Sequence, residues 1–175
     1  MNTKIFAFII IFMIIAVIPT SNAQLSFGTQ ANQKLIEFKI NSSGEVNMKH
    51  VITPSNIPVN VDLFTGTISN ISIINEKGED IEFAIIGDNN AVMIFPSKQN
   101  SIIKYNLDDV LILNDNLWSF KISYNQLVSI IFPKETELIF VDNTPIQLGD
   151  KKGIACHGCN INLQYYSTIP KIIQE

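Results

Sequence analysis

The stretch Ile36-Glu37-Phe38-Lys39-Ile40-Asn41-Ser42-Ser43-Gly44-Glu45-Val46-Asn47-Met48-Lys49-His50-Val51-Ile52 decides the fold class. Ile36, Phe38 and Ile40 alternate with Glu37 and Lys39, while Val46, Met48 and His50 alternate with Asn47 and Lys49, and Ile52 falls on the same face. A period of two places each apolar set on one side of an extended strand. Asn41-Ser42-Ser43-Gly44 supplies the residue types that reverse a chain, so the two runs form a hairpin.

The same grammar continues outward. Val59, Val61 and Leu63 follow a crossing segment bracketed by Pro54 and Pro58. Ile68 to Ile74 turns through Asn75-Glu76-Lys77-Gly78-Glu79 into Ile81, Phe83 and Ile85. Ala91 to Phe95, Ile102 to Leu107, Trp118 to Tyr124, Leu127 to Phe132, Leu138 to Val141 and Ile161 to Tyr165 complete the set. Turn residues recur about every 8–12 positions, and no helical stripe competes. The expectation is an all-β fold, an antiparallel β-sandwich of immunoglobulin-like type with about nine to ten strands. An apolar signal helix precedes it.

That leader reads Met1-Asn2-Thr3-Lys4, an unbroken apolar run from Ile5 to Ile18, then Pro19-Thr20-Ser21-Asn22-Ala23. One positive charge, a short apolar core, and Ser21 and Ala23 at the −3 and −1 positions predict cleavage before Gln24. The run falls short of the roughly 20 residues that span a bilayer, so an uncleaved anchor is the lesser reading. Residues 1–23 are thus a secretory signal and 24–175 one β-sandwich domain. The mature chain is secreted or otherwise extracytoplasmic, with no transmembrane span.

Charge excludes several functions. Twelve basic residues oppose 16 acidic ones, a net charge of −4, and all twelve are lysine. Losing Lys4 gives 11 − 16 = −5. Without arginine or any long basic run, neither nucleic acid nor nucleotide is an expected partner. With 46% apolar and only 16% charged residues the chain folds rather than staying disordered. G-x-S-x-G, G-x-G-x-x-G, P-loop and H-E-x-x-H motifs are all absent. Asp108-Asp109 and Glu135/Glu137 are carboxylate pairs without an apolar setting to raise a pKa, so they read as solvated turns. No catalytic residue is assigned.

Both cysteines and half of the histidines sit in Gly153-Ile154-Ala155-Cys156-His157-Gly158-Cys159-Asn160. In an oxidising compartment Cys156 and Cys159 close a small structural disulfide loop. Alternatively Cys156, His157 and Cys159, with His50, offer soft ligands for copper or zinc. A thiol-disulfide exchanger is the third reading, although it would want a helix after the motif to lower the first thiol's pKa. Haem attachment would need histidine where Asn160 stands. His50, on the apolar side of its strand, reads first as a buried, hydrogen-bonded structural residue and only second as a ligand. Asn41-Ser42-Ser43 and Asn70-Ile71-Ser72 are N-glycosylation candidates that suit the compartment.

Two resemblances follow from these residues. Gly153 to Cys159 resembles the G-M-x-C-x-x-C loop of copper chaperone domains, with Ile154 in place of methionine. That loop opens a ferredoxin-like domain, whereas here only 175 − 159 = 16 residues follow, alternating as a strand. More broadly, Trp118 with Tyr124, Phe132-Pro133, Val141-Asp142-Asn143-Thr144-Pro145, and the C-H-G-C run with Leu163 and Tyr165 resemble exported immunoglobulin-like β-sandwich proteins of ammonia-oxidising archaea. The resemblance implies an extracytoplasmic sandwich and brings no activity with it. The expected role is a cell-envelope binding or structural module without catalysis or cofactor, its CxxC loop braced by a disulfide. It presents loops and an edge strand to an envelope or membrane protein. The alternative is an extracytoplasmic Cu(I)- or Zn(II)-binding protein.

Overall fold

The computed structural model describes residues 28–149 and 152–167. The leader at 1–23 lies outside them. Every regular element is a strand: β1 (Thr29–Gln30), β2 (Gln33–Ile40), β3 (Val46–Ile52), β4 (Val59–Asp62), β5 (Thr67–Asn75), β6 (Phe83–Ile86), β7 (Ala91–Ile94) and β8 (Ser101–Asp108). They are followed by β9 (Ile112–Asn114), β10 (Leu117–Tyr124), β11 (Val128–Ile131), β12 (Thr136–Val141), β13 (Ile146–Gln147), β14 (Gly153–Cys156) and β15 (Cys159–Ser167). A seven-stranded sheet runs β13-β14-β11-β2-β3-β8-β5; two four-stranded sheets run β12-β15-β10-β9 and β1-β4-β7-β6. The class is the expected one, a β-sandwich. Among the described residues no helix is long and apolar enough to cross a membrane.

Two details differ from the expectation. The described chain has fifteen strands rather than nine or ten. β1, β9 and β13 are too short to display alternation, and β14 is built of Gly153, Ile154, Ala155 and Cys156, buried on both faces and so without a polar partner series. Nor is the sandwich wholly antiparallel: β11 runs parallel to β2, and β1 parallel to β4. Strand direction is set by which distant segments meet, and the side-chain period is the same either way.

Ile36, Phe38 and Ile40 of β2 and Val46, Met48, His50 and Ile52 of β3 face inward, as their spacing requires. All three sheets contribute to one buried cluster. Phe38 stacks on Phe120 of β10 at 5.3 Å between centroids, joining the layers at their centre. Tyr165 is enclosed by Trp118, Phe120 and Phe132. Each fully buried ring of this kind stabilises by about 2 kcal/mol or more through area alone.

The turn after β2 reappears after β5, because both read Asn-x-x-Gly-Glu. Asn41 Oδ1 accepts from the Ser43 and Glu45 N–H groups at 3.0 and 2.8 Å, and Asn75 Oδ1 does the same for Lys77 and Glu79 at 2.9 and 3.0 Å. Each Asn donates its amide to the glutamate that ends its turn. The glycines sit at φ +84° and +83°, the left-handed region that penalises a Cβ. Their surroundings differ. A Cβ on Gly44 would overlap the Trp118 ring, whereas one on Gly78 would meet nothing within 4 Å. Gly78→Ala is therefore expected to cost about 1 kcal/mol, and Gly44→Ala about 2–4 kcal/mol because overpacking adds to the backbone cost. Urea unfolding of both variants checks this, and equal losses would show that Trp118 yields freely.

Candidate functional site

Cys156 ends β14 in the seven-stranded sheet, opposite Val128, and Cys159 begins β15 in the facing sheet, opposite Tyr124. The chain passes between layers through His157 and Gly158 alone, Gly158 taking φ +58°. Beside this corner β10 crosses to β11 between Tyr124 and Val128. A Cys156–Cys159 disulfide closes the corner, with Cα atoms 5.0 Å apart, inside the normal range. The cysteines belong to the buried cluster while His157 is exposed. The bond is thus a brace within the core wall at a point where two layers are joined by two residues.

His50 is fully buried, and both ring nitrogens are occupied. Nδ1–H donates to Gln33 Oε1 at 2.7 Å, and Tyr105 O–H donates to Nε2 at 3.0 Å. Tyr105 accepts in turn from the Phe64 N–H at 3.1 Å. Tyr124 O–H donates to the Asp62 carbonyl at 2.7 Å, so it accepts from Gln33 Nε2 at 3.1 Å. That leaves Gln33 Oε1 as the acceptor facing His50 and assigns the imidazole as neutral, protonated on Nδ1. Burial drives its pKa from 6.5 down to about 3. Burial also raises the Tyr105 and Tyr124 hydroxyls, so every proton in the network stays in place near neutrality. Filled in this way, the network locks β2, β3 and β8 to the β4 and β10 side of the sandwich.

The four sequence-derived metal ligands do not converge. Ala155, beside Cys156, lies level with Ser129, Ser129 with Glu37 and Glu37 with Lys49, beside His50, so three interstrand steps, roughly 14 Å, separate His50 from the cysteines. The sulfurs bond each other, His50 has no free lone pair, and His157 projects from the turn. Among the described residues no three of His, Cys, Asp or Glu form a metal-binding group. The glycosylation candidates also divide. Asn41 has its whole carboxamide committed to its turn, Ser43 Oγ–H donating to it as well at 2.7 Å. Asn70 is exposed at φ +56°, in the bulge of edge strand β5.

The sequence did not single out the flank formed by β12 and β13, where one sheet of each layer ends. β12 is exposed on both faces: Leu138, Ile139 and Phe140 are 39–48% accessible, and Tyr166 of the neighbouring β15 is exposed as well. A bulge between Leu138 and Phe140 breaks the period, which is why three apolar residues in a row reach the surface. Between β12 and the β13–β14 hairpin opens a groove of about 460 Å³, walled by Phe132, Leu138, Pro145 and Ile154 and fringed by Thr136 and Lys152. Thr136 and Ser167 face each other across the β12–β15 ladder; their hydroxyls, and that of buried Tyr165, have no hydrogen-bond partner among the described residues. The only sequence signal was the run Leu138-Ile139-Phe140-Val141 itself, where alternation fails.

No protein-family model matches this chain, and no curated protein does.

Proposed function

We propose that the chain is an exported, non-catalytic binding module of the cell envelope that holds a protein partner along β12. One observation carries this reading: β12, which ends its sheet among the described strands, exposes apolar side chains on both faces beside an apolar groove. Soluble proteins blunt such edges with charge, proline or cover, and β12 has a bulge and Glu137 but no cover among the described residues. An extended segment of an envelope protein would gain backbone hydrogen bonds from β12 and send alternate side chains over Phe132, Leu138 and Ile154. The disulfide corner supports the same reading, since it fixes β14 against β15 and so the width of the groove. Export rests on the leader and on the cysteine pairing.

The test is a photo-crosslinker at Ile139 in cells that export the protein, with the adduct followed by mass. One discrete adduct is expected with wild type, and Leu138→Lys/Phe140→Lys should abolish it while leaving the melting temperature within a few degrees. An adduct that survives the double substitution contradicts the assignment of β12, as does the absence of any adduct from the exported protein.

A further inference from the structure

On the outer face of the seven-stranded sheet, away from β12, two rows of side chains cross β2, β3, β8 and β5. One row is Lys39–Asn47–Asn106–Ser69 and the other Glu37–Lys49–Lys104–Ser72. Neither contains an apolar residue. Lys49 and Lys104 stand directly opposite one another, and among the described ladders theirs is the one cross-strand pair of like charges. Such a pair destabilises an antiparallel sheet. Glu37 flanks Lys49 on the side away from Lys104, so it does not separate the two ammonium groups. Lys39 sits diagonal to Lys49. In a chain of net charge −4, this patch holds three lysines against one glutamate, 3 − 1 = +2. It is also concave: a depression of about 280 Å³ is lined by Lys39, Lys49 and Lys104, by Glu37 on the Lys49 side and by Asn47, Asn70 and Asn106, over the buried Met48 and Tyr105.

We propose that this face binds an acidic polysaccharide, seating a carboxylate or sulfate group between Lys49 and Lys104 and a neighbouring one beside Lys39. An anion placed there turns a mutual repulsion into two attractions. The three carboxamides offer both donors and acceptors, which suits the hydroxyl-rich remainder of a glycan. Ammonium groups on flexible stems hold oxyanions as point charges, without the bidentate geometry arginine would impose. A lipid surface fits less well, because neither row has an apolar side chain to enter a bilayer. Nucleic acid fits less well again, since the patch offers no aromatic face for a base and the chain as a whole is acidic.

The experiment is calorimetric titration of the full chain with a sulfated oligosaccharide and with the unsulfated oligomer of the same sugars, at low and at physiological salt. The sulfated form should bind with an affinity that falls as salt rises, and the neutral form should not bind. Lys49→Gln/Lys104→Gln should weaken binding about tenfold or more, and Lys104→Gln alone, which ends the repulsion while Glu37 stays opposite Lys49, should raise, not lower, the melting temperature. Lys121→Gln, on the opposite layer, should bind as wild type. The proposal falls if the neutral oligomer binds equally well or the double variant binds undiminished. It falls equally if duplex DNA or phosphatidylglycerol vesicles bind more tightly than the sulfated sugar.

Discussion

Acidification below pH 6.5 is expected to cost the protein about 1.4 kcal/mol of stability per pH unit through His50 alone, down to about pH 3. The sign follows from which state takes the proton. In the unfolded chain the imidazole titrates at its ordinary 6.5, while in the folded protein burial holds it neutral to about 3. Within that window only the unfolded state gains a proton, so it is favoured as pH falls. The contribution of His50 is complete above 6.5 and gone once the pH has dropped through the folded value. Protonation would also convert Nε2 from acceptor to donor, and Tyr105, already accepting from Phe64, would then face it with its own O–H.

Replacing the residue separates this effect from the exposed carboxylates. His50→Gln should lose about 2–4 kcal/mol at pH 7, because it vacates ring volume against Phe64, Tyr105 and Tyr124 and re-forms only part of the network. Its pH profile should be flatter, so the gap to wild type narrows on acidification. Denaturant unfolding at half-unit steps from pH 7 to 4 measures both curves, and parallel curves would refute the assignment of a neutral, fully bonded imidazole.

Removing the brace should have the second large effect. Cys156→Ala/Cys159→Ala is expected to lower stability by about 2–4 kcal/mol. Release of so short a loop accounts for about 2, and loss of sulfur packing in the core wall supplies the rest. Its signature is spatial: faster amide exchange at the ends of β14 and β15 and around the neighbouring β10–β11 crossing, with the Phe38–Phe120 centre unchanged. Uniformly faster exchange would mean that the corner is no local joint. The proposed binding along β12 should weaken with it, because β14 walls one side of the groove and β15 carries β12, the other side.

How much of this could be read from the residues follows from what each signal encodes. Ile36, Phe38 and Ile40 announce both strand and inward face because alternation is local, and Asn41-x-x-Gly44 announces its turn because the Asn side chain bonds its own backbone. The burial of His50 is visible in its place among Val46, Met48 and Ile52, but its partners Gln33, Tyr105 and Tyr124 come from three other strands and leave no trace near it. C-x-x-C spacing permits the disulfide; that the two intervening residues carry the chain from one layer to the other is a fact of topology. So is the separation of His50 from the cysteines, which undoes the four-ligand arrangement that counting two cysteines and two histidines invites. β14 escapes notice because Gly153 and Ala155 have neither alternation nor bulk. The Lys49–Lys104 opposition exists only once β3 and β8 are in register.

On the proposal above, Cys156 and Cys159 are a closed structural brace in an exported binding module rather than the working end of a metal carrier. Intact mass with thiol alkylation, with metal content read in parallel on protein exported by its own leader, tests it most directly. A chain beginning at Gln24, two hydrogens lighter than its reduced form, unalkylated even when denatured and free of stoichiometric metal, is the predicted result. Two alkylatable thiols accompanied by about one copper or zinc per chain would contradict it.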